Sequence, residues 1–179
     1  MSASVPGGLA ERRREPQDFT TRDFRDTVGA FATGVNVITT RSDDALYGMT
    51  ASAFSSVSLD PPLALICIGL LSEGSEAIRR NGVFAVNVLS AQQEPLSRYF
   101  ASKDRPRGRD AFRGVSHREV VSGSPVLDGA AAYLDCRLAA THEAGDHLIF
   151  IGEVLGLGVE PDAEPLVFHR GRYASLTHH

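Results

Sequence analysis

Gly48-Met49-Thr50-Ala51-Ser52-Ala53-Phe54-Ser55-Ser56-Val57-Ser58-Leu59-Asp60-Pro61-Pro62 is the stretch on which the reading of this chain turns. Residues 47–59 read as extended chain, Pro61-Pro62 breaks it, and Leu63–Leu70 follows as a continuous apolar run, the pattern of a strand buried on both faces. Small and hydroxylated residues dominate the quoted segment, a composition that is costly to bury without hydrogen-bond partners. A row of Thr, Ser and Ala sets backbone N–H groups and hydroxyls where a flat polar heterocycle can lie against the chain. A solvent-facing edge strand rich in Ser and Thr has the same composition, and spacing alone leaves both open.

Outward from this ribbon the pattern stays mostly extended. Upstream, Thr21 is placed to cap an amphipathic helix over residues 22–32, with Phe24, Val28 and Phe31 at i, i+4, i+7 and Gly34 as its stop. Val35, Val37 and Thr39 then alternate with Asn36, Ile38 and Thr40, and Ser42-Asp43-Asp44 closes that strand with a turn. Downstream, Ser72 and Ser75 begin a short helix ended at Asn81-Gly82, and Val83–Leu89 is another buried strand. Ala91–Ala101 reads as helix and residues 103–110 as a charged loop. Tyr133–Leu138, Leu148–Val159 and Pro165–Leu176 supply further strands, the last two separated by the turn Glu160-Pro161-Asp162. Gly152, Gly156 and Gly158 lie in a strand pattern, as bulges or points of close packing. About seven strands with few helices predict a mainly β fold, a small barrel that removes unpaired sheet edges.

Composition bounds the rest. A chain of 179 residues that is 42% hydrophobic suits one domain with a sizeable core, expected over residues 19–179, behind a flexible arm at residues 1–18. The net charge of −4 argues against a nucleic-acid-coating protein. Arg12, Arg13 and Arg14 precede no apolar segment, so no secretory signal is expected, and no run approaches the length of a spanning helix. Cys67 and Cys136 lack CxxC spacing and read as two reduced, buried thiols of a cytoplasmic protein. His178 and His179 are either native or the stub of a tag.

Familiar catalytic constellations are absent. There is no P-loop, no GxGxxG after a strand and no GxSxG elbow to support a Ser-His-Asp set built on His142 or His147 with Asp146. His142, Glu143, Asp146 and His147 sit on an expected turn without the fixed scaffold a metal needs, so no metal is assigned. Lys103, Arg105, Arg107 and Arg109 make a local basic patch, a solvated loop or a contact for a phosphate-bearing ligand.

The quoted ribbon and the apolar run after it are followed by Ser72, Ser75 and Ile78, then Gly82-Val83-Phe84-Ala85-Val86-Asn87-Val88-Leu89-Ser90. With Gly123–Ala130, Gly145-Asp146-His147, Ile151–Val154, Pro165-Leu166 and Gly171-Arg172-Tyr173, this order resembles the flavin reductase family over about residues 22–176. The resemblance implies a flavin-binding split β-barrel, Greek-key-like with a few short peripheral helices, usually a homodimer with flavin near the subunit interface. It implies NAD(P)H:flavin oxidoreductase activity, with FMN or FAD and NADH or NADPH, feeding reduced flavin to a partner monooxygenase.

Carried over by position, Met49, Thr50, Ala51, Ser52 and Ala53 would run beside the isoalloxazine, and Ser55 and Ser56 would approach the ribityl and phosphate groups. Cys67, Ile68, Ser72 and Ser75 would complete that side, and Asn87, Val88 and Leu89 match a further flavin-proximal stretch. His147 matches a histidine near nicotinamide and flavin, expected to orient the nicotinamide without being an essential proton donor. Phe168, Arg172 and Tyr173 fall in the segment associated with the nicotinamide nucleotide. Ala53 departs from the Ser of many relatives, so only backbone serves there. The alternatives are a non-catalytic flavin-binding split-barrel protein and a pyridoxine-phosphate-oxidase-like oxidase, the latter needing a basic phosphate pocket that only the Arg105–Arg109 loop offers.

Overall fold

The computed structural model describes residues 18–42 and 45–177. The expected arm at residues 1–18, apart from Asp18, lies outside the described residues, as do Asp43, Asp44, His178 and His179.

Helix α1 spans Thr21–Val28. Thr20, not Thr21, caps it: the Asp23 N–H donates to Thr20 Oγ1 at 3.2 Å, and the Asp23 carboxylate accepts from the Thr20 N–H at 2.9 Å. The helix ends at Gly29, earlier than the expected residue 32, because Ala30 and Phe31 close tighter bonds to the carbonyls of Thr27 and Val28. No residue of α1 is buried, and Phe31 beyond it is 76% exposed.

Twelve strands follow among the described residues. Strands β1 (Thr33–Gly34), β11 (Val167–His169) and β12 (Arg172–Ala174) form a small sheet; β7 (His117–Glu119) pairs with β8 (Pro125–Leu127). The main antiparallel sheet has seven strands in the order β3-β2-β6-β9-β10-β5-β4. These are β2 (Asn36–Arg41), β3 (Leu46–Ala51), β4 (Phe54–Leu59), β5 (Pro62–Gly69), β6 (Val83–Val88), β9 (Ala132–Ala144) and β10 (His147–Val159).

The quoted ribbon is therefore two strands, β3 and β4, and they are the two opposite edges of the sheet. A flat seven-stranded sheet would hold its edges about 29 Å apart. Only Ser52 and Ala53 join them, and the three Cα steps from Ala51 to Phe54 reach at most about 11 Å. The sheet must roll up. Among the described residues no ladder pairs β3 with β4, so the barrel stays split along this seam and keeps the edges that sequence reasoning expected it to lose.

Two cores result. Ile38, Ile66, Ile68, Phe84, Val86 and Phe150 pack inside the barrel; Val35, Val37, Leu89, Phe100, Phe112 and Leu127 form the second, beneath helix α3 (Glu94–Ala101). Burial on both faces belongs to β2, whose Val37 and Ile38 point into different cores, and to β6. Strand β5 departs from expectation: Ala64, Ile66 and Ile68 point inward, while Leu63, Leu65 and Cys67 stay half-exposed on the outer face. An apolar run suffices for a strand but does not decide whether something covers its second face.

Helix α2 (Glu73–Asn81) matches its sequence signals, with Ser72 as the cap and Gly82 closing it at φ 69°. The glycine reading of β10 also holds. The register with β9 shifts at Ile151/Gly152 and Val154/Gly156, and a Cβ on Gly152 would stand 2.5 Å from Phe84 Cζ.

Candidate functional site

The seam is where backbone is left over. Edge strands β3 and β4 each pair on one side only, and Ser52 and Ala53, both exposed, belong to neither ladder. The Ala53 carbonyl accepts from the Cys67 N–H at 3.2 Å, which ties the ribbon to the backbone of β5 beside the β4–β5 ladder. Met49 and Ala51 pack against the barrel core. The Thr50 hydroxyl donates to the Ser97 carbonyl at 2.7 Å, so it is spent on α3. Ser55 and Ser56 are exposed, and the Ser55 hydroxyl donates to the Ser56 carbonyl at 3.0 Å.

The ribbon runs between two clefts. The first, about 630 Å³, lies between Tyr47 and Gly48 of β3, the β5–α2 junction at Ser72, the β9–β10 turn at Asp146 and His147, and the loop carrying Lys103, Arg105 and Arg107. That volume falls in the range of about 300–1,000 Å³ usual for cofactor sites. His147 opens β10 opposite Gly69 of β5. Its Nδ1 lies 2.7 Å from Asp146 Oδ1, and this hydrogen bond holds the Asp146 carboxyl below the ordinary range. The Leu70 N–H donates to the Asp146 carbonyl at 2.9 Å, fixing the turn, and with it His147, on the cleft wall.

The second cleft, about 640 Å³, brings Ser52 together with Val28 and Phe31 near α1 and with Phe168, Arg170 and Gly171 of the C-terminal hairpin. Phe168 meets Tyr173 edge-on at 5.3 Å, and the Arg98 guanidinium sits 4.7 Å above the Tyr173 ring. The Tyr173 hydroxyl lies 2.8 Å from Ser97 Oγ, so the residue that receives Thr50 also holds the hairpin. Arg172 is exposed beside them.

The structure removes part of the expected set from any ligand. Ile68, Ser75, Asn87 and Leu89 are buried. Asn87 donates to the Val37 and Pro125 carbonyls and accepts from the Leu127 N–H at 2.7 Å, so it secures β8 and does not face a cleft. Ser75 donates to the carbonyls of Leu70 and Ser72 and shapes the junction behind Ser72. Val88 is half-buried in β6 between Asn36 and Ala132. Of the two thiols expected to be buried, Cys136 is, but Cys67 is half-exposed because it lies on the uncovered face of β5, its thiol pushed up by partial burial.

Residues that sequence reasoning left without a role appear at the first cleft. Tyr47 lines it, and burial pushes its phenol up. Arg105 donates to the Gly48 carbonyl at 2.6 Å, fastening the basic loop to the start of the ribbon. The signal was present, four basic residues at alternate positions, but not the strand they would fasten. Among the described residues no three His, Cys, Asp or Glu side chains converge on a metal. No helix among them is long and apolar enough to cross a membrane.

This arrangement offers unpaired backbone, hydroxyls and two flanking clefts, which suits holding flat polar molecules. Comparison with known proteins agrees. Residues 28–177 match the model of the flavin reductase like domain. The chain is 40% identical over 157 residues to the reductase subunit HsaB of a flavin-dependent monooxygenase from Mycobacterium tuberculosis, covering 87% of this chain and 82% of that one. It is 41% identical over 155 residues to the NADH-dependent FMN reductase AsuE2 of Streptomyces nodosus subsp. asukaensis, covering 86% and 84%. Among solved structures, the NADH:FAD oxidoreductase SgcE6 of Streptomyces globisporus, in complex with NAD and FAD fragments, superposes with a TM-score of 0.83 at 38% identity, covering 92% of this chain and 98% of that one. With a mainly β split barrel, a polar seam and a family match across most of its length, this chain belongs to the flavin reductase-like family.

Proposed function

We propose that this chain is an NAD(P)H:flavin oxidoreductase that reduces FMN or FAD and supplies the reduced flavin to a partner monooxygenase. The observation that carries the reading is the split of the barrel at Ala51–Phe54, which leaves the edges of β3 and β4 unpaired, with Gly48 lining one cleft and Ser52 the other. A flavin fits this donor set. Its ring edges need N–H donors without nearby carboxylates, and the ribbon from Met49 to Ser56 holds none.

When both nucleotides are bound, hydride passes from nicotinamide C4 to flavin N5, and the cofactors supply that chemistry. The backbone of Thr50, Ala51, Ser52 and Ala53 would donate to the polar edge of the isoalloxazine, and Ser55 and Ser56 would approach the ribityl chain and phosphate. Cys67 and Ser72 would flank that side. His147, held by Asp146, would orient the nicotinamide, with Phe168, Arg172 and Tyr173 positioned for the nicotinamide nucleotide. The NADH-dependent relatives support NADH as donor. A second copy of the chain would cover Phe24, Val28 and Phe31, which none of the described residues buries, in a homodimer. A cytoplasmic location accords with two free thiols and with the reaction partners named.

The test is steady-state oxidation of NADH and NADPH with FMN, FAD and riboflavin in turn, beside flavin binding followed by fluorescence. The chain has no Trp to interfere. Flavin-dependent NADH oxidation supports the proposal; flavin binding with no oxidation of either nucleotide refutes the enzyme and leaves a flavin-binding module.

A further inference from the structure

The loop over the first cleft carries two arginines that are used in opposite ways. Arg105 is fixed. Its guanidinium donates to the Ser102 carbonyl at 2.5 Å and the Gly48 carbonyl at 2.6 Å, and it lies 5.9 Å from the centres of the Tyr47 and Phe100 rings. Arg107 instead reaches across the mouth to the carboxylate of Glu73, the residue after the Ser72 cap. Both members of this pair are open to water, with side chains 77% and 53% exposed. An exposed ion pair contributes only about 0–1 kcal/mol, so exchanging one partner for another anion is cheap.

The charges of the cleft show which anion. Lys103, Arg105 and Arg107 line it together with two carboxylates, Glu73 and Asp146. Asp146 is engaged by its neighbour His147. Glu73 is left facing the cationic loop. Both Arg107 and Glu73 also border a smaller cavity of about 220 Å³ beside Tyr47, so the pair, though open to water, stands between that cavity and the cleft.

Resting on the reading of this cleft as part of a flavin and nicotinamide nucleotide site, we infer that Glu73 and Arg107 form an exchangeable latch: a ligand phosphate takes Arg107 from Glu73 on entering. Arg107 then selects phosphorylated ligands, and Glu73 is the competitor that limits their affinity and speeds their release. The phosphate comes either from the flavin or from the nicotinamide nucleotide, and the two are separable by experiment. Binding of the phosphorylated ligand then weakens more steeply with added salt than binding of its unphosphorylated counterpart.

The test uses the full chain with R107Q and E73Q, both at exposed positions away from the cores. Fluorescence titrations with FMN and riboflavin at low and high salt are set beside the KM for NADH. For R107Q, the Kd of FMN rises roughly tenfold while that of riboflavin is unchanged, as expected for loss of a charge-assisted bond. For E73Q it falls by up to about fivefold, the opposite sign. If only the KM for NADH moves in these two directions, the nicotinamide nucleotide supplies the phosphate and the latch stands. If the two variants shift affinity in the same direction, or neither changes either ligand while the wild type reduces flavin, the latch is refuted and the activity survives. A wild type that neither binds flavin nor oxidises NADH overturns the activity and the latch with it.

Discussion

Gly48→Ala is the perturbation that joins fold to site most directly. Gly48 begins the ribbon, and its carbonyl is the acceptor that fastens Arg105. A Cβ there would stand 2.6 Å from Phe100 Cε1, 2.9 Å from Phe100 Cδ1 and 3.1 Å from Phe112 Cζ. Phe100 is buried and hemmed in by Tyr99 at 5.2 Å and Phe112 at 5.4 Å between ring centroids, so it has nowhere to turn. Overpacking of this kind costs about 1–3 kcal/mol. Against it stands the reduced freedom of the unfolded chain, worth about 0.4–1 kcal/mol where the native backbone suits alanine. Gly48 is not among the glycines at positive φ, so the second effect operates, but the first exceeds it. The net loss is about 1–2 kcal/mol, which in a domain of this size lowers Tm by about 2–8 °C. Thermal unfolding without ligand reads the loss, and flavin titration reads its consequence, a weaker affinity because β3 must move off Phe100 and carry the ribbon with it. Phe100→Leu supplies the control: in that background Gly48→Ala should cost less, since the Phe100 ring edge at 2.6 Å is gone and only the Phe112 contact at 3.1 Å is unrelieved. An equal cost in both backgrounds, or an unchanged Tm, refutes the packing argument.

Tyr173→Phe removes the hydroxyl that meets Ser97 while keeping the ring under Arg98. We expect the KM for NADH to rise about fivefold with little change in flavin affinity, as for loss of one hydrogen bond; steady-state kinetics and flavin titration check it. Cys136 is buried, and burial, with the Asp135 charge second, pushes its thiol up to about 12, so at pH 8 thiol reagents should modify Cys67 and spare Cys136 in the folded protein. Bound flavin should slow the Cys67 reaction if the outer face of β5 lies beside it. The Asp128 carboxyl is held low, first by the Ser116 hydroxyl and then by Arg118. Its folded value lies below the ordinary 3.8, so its contribution is complete above that pH and disappears as pH falls through the folded value. Asp128→Asn should therefore be less stable than wild type at pH 7, with the gap closing below about pH 4; urea unfolding across that range measures it.

What the sequence determined by itself is what neighbours along the chain can encode. Ser72, the short helix and Asn81-Gly82 were legible because a cap and a left-handed stop are local. The alternation of β2 was legible for the same reason, as were the glycines of β10 and the departure of the Gly48–Pro62 ribbon from apolar patterning. The family's order of motifs gave His147 and the C-terminal hairpin their expected places.

Only the tertiary structure decided which surfaces those elements face. That β3 and β4 are the two edges of one sheet depends on pairings through five intervening strands, which no spacing within the ribbon records. Asn87 has the composition of a site residue, yet the fold brings Val37, Pro125 and Leu127 to it and leaves none of it for a ligand. Strand β5 looks buried on both faces, but only one face meets this chain's own core. Arg105 and Arg107 are two residues apart, and what separates a fixed brace from an exchangeable latch is the distance of each from Gly48 and Glu73, set by chain that lies 57 and 34 residues away. A local pattern fixes the shape of a segment; its partners are fixed by which distant segments the rolled sheet carries beside it.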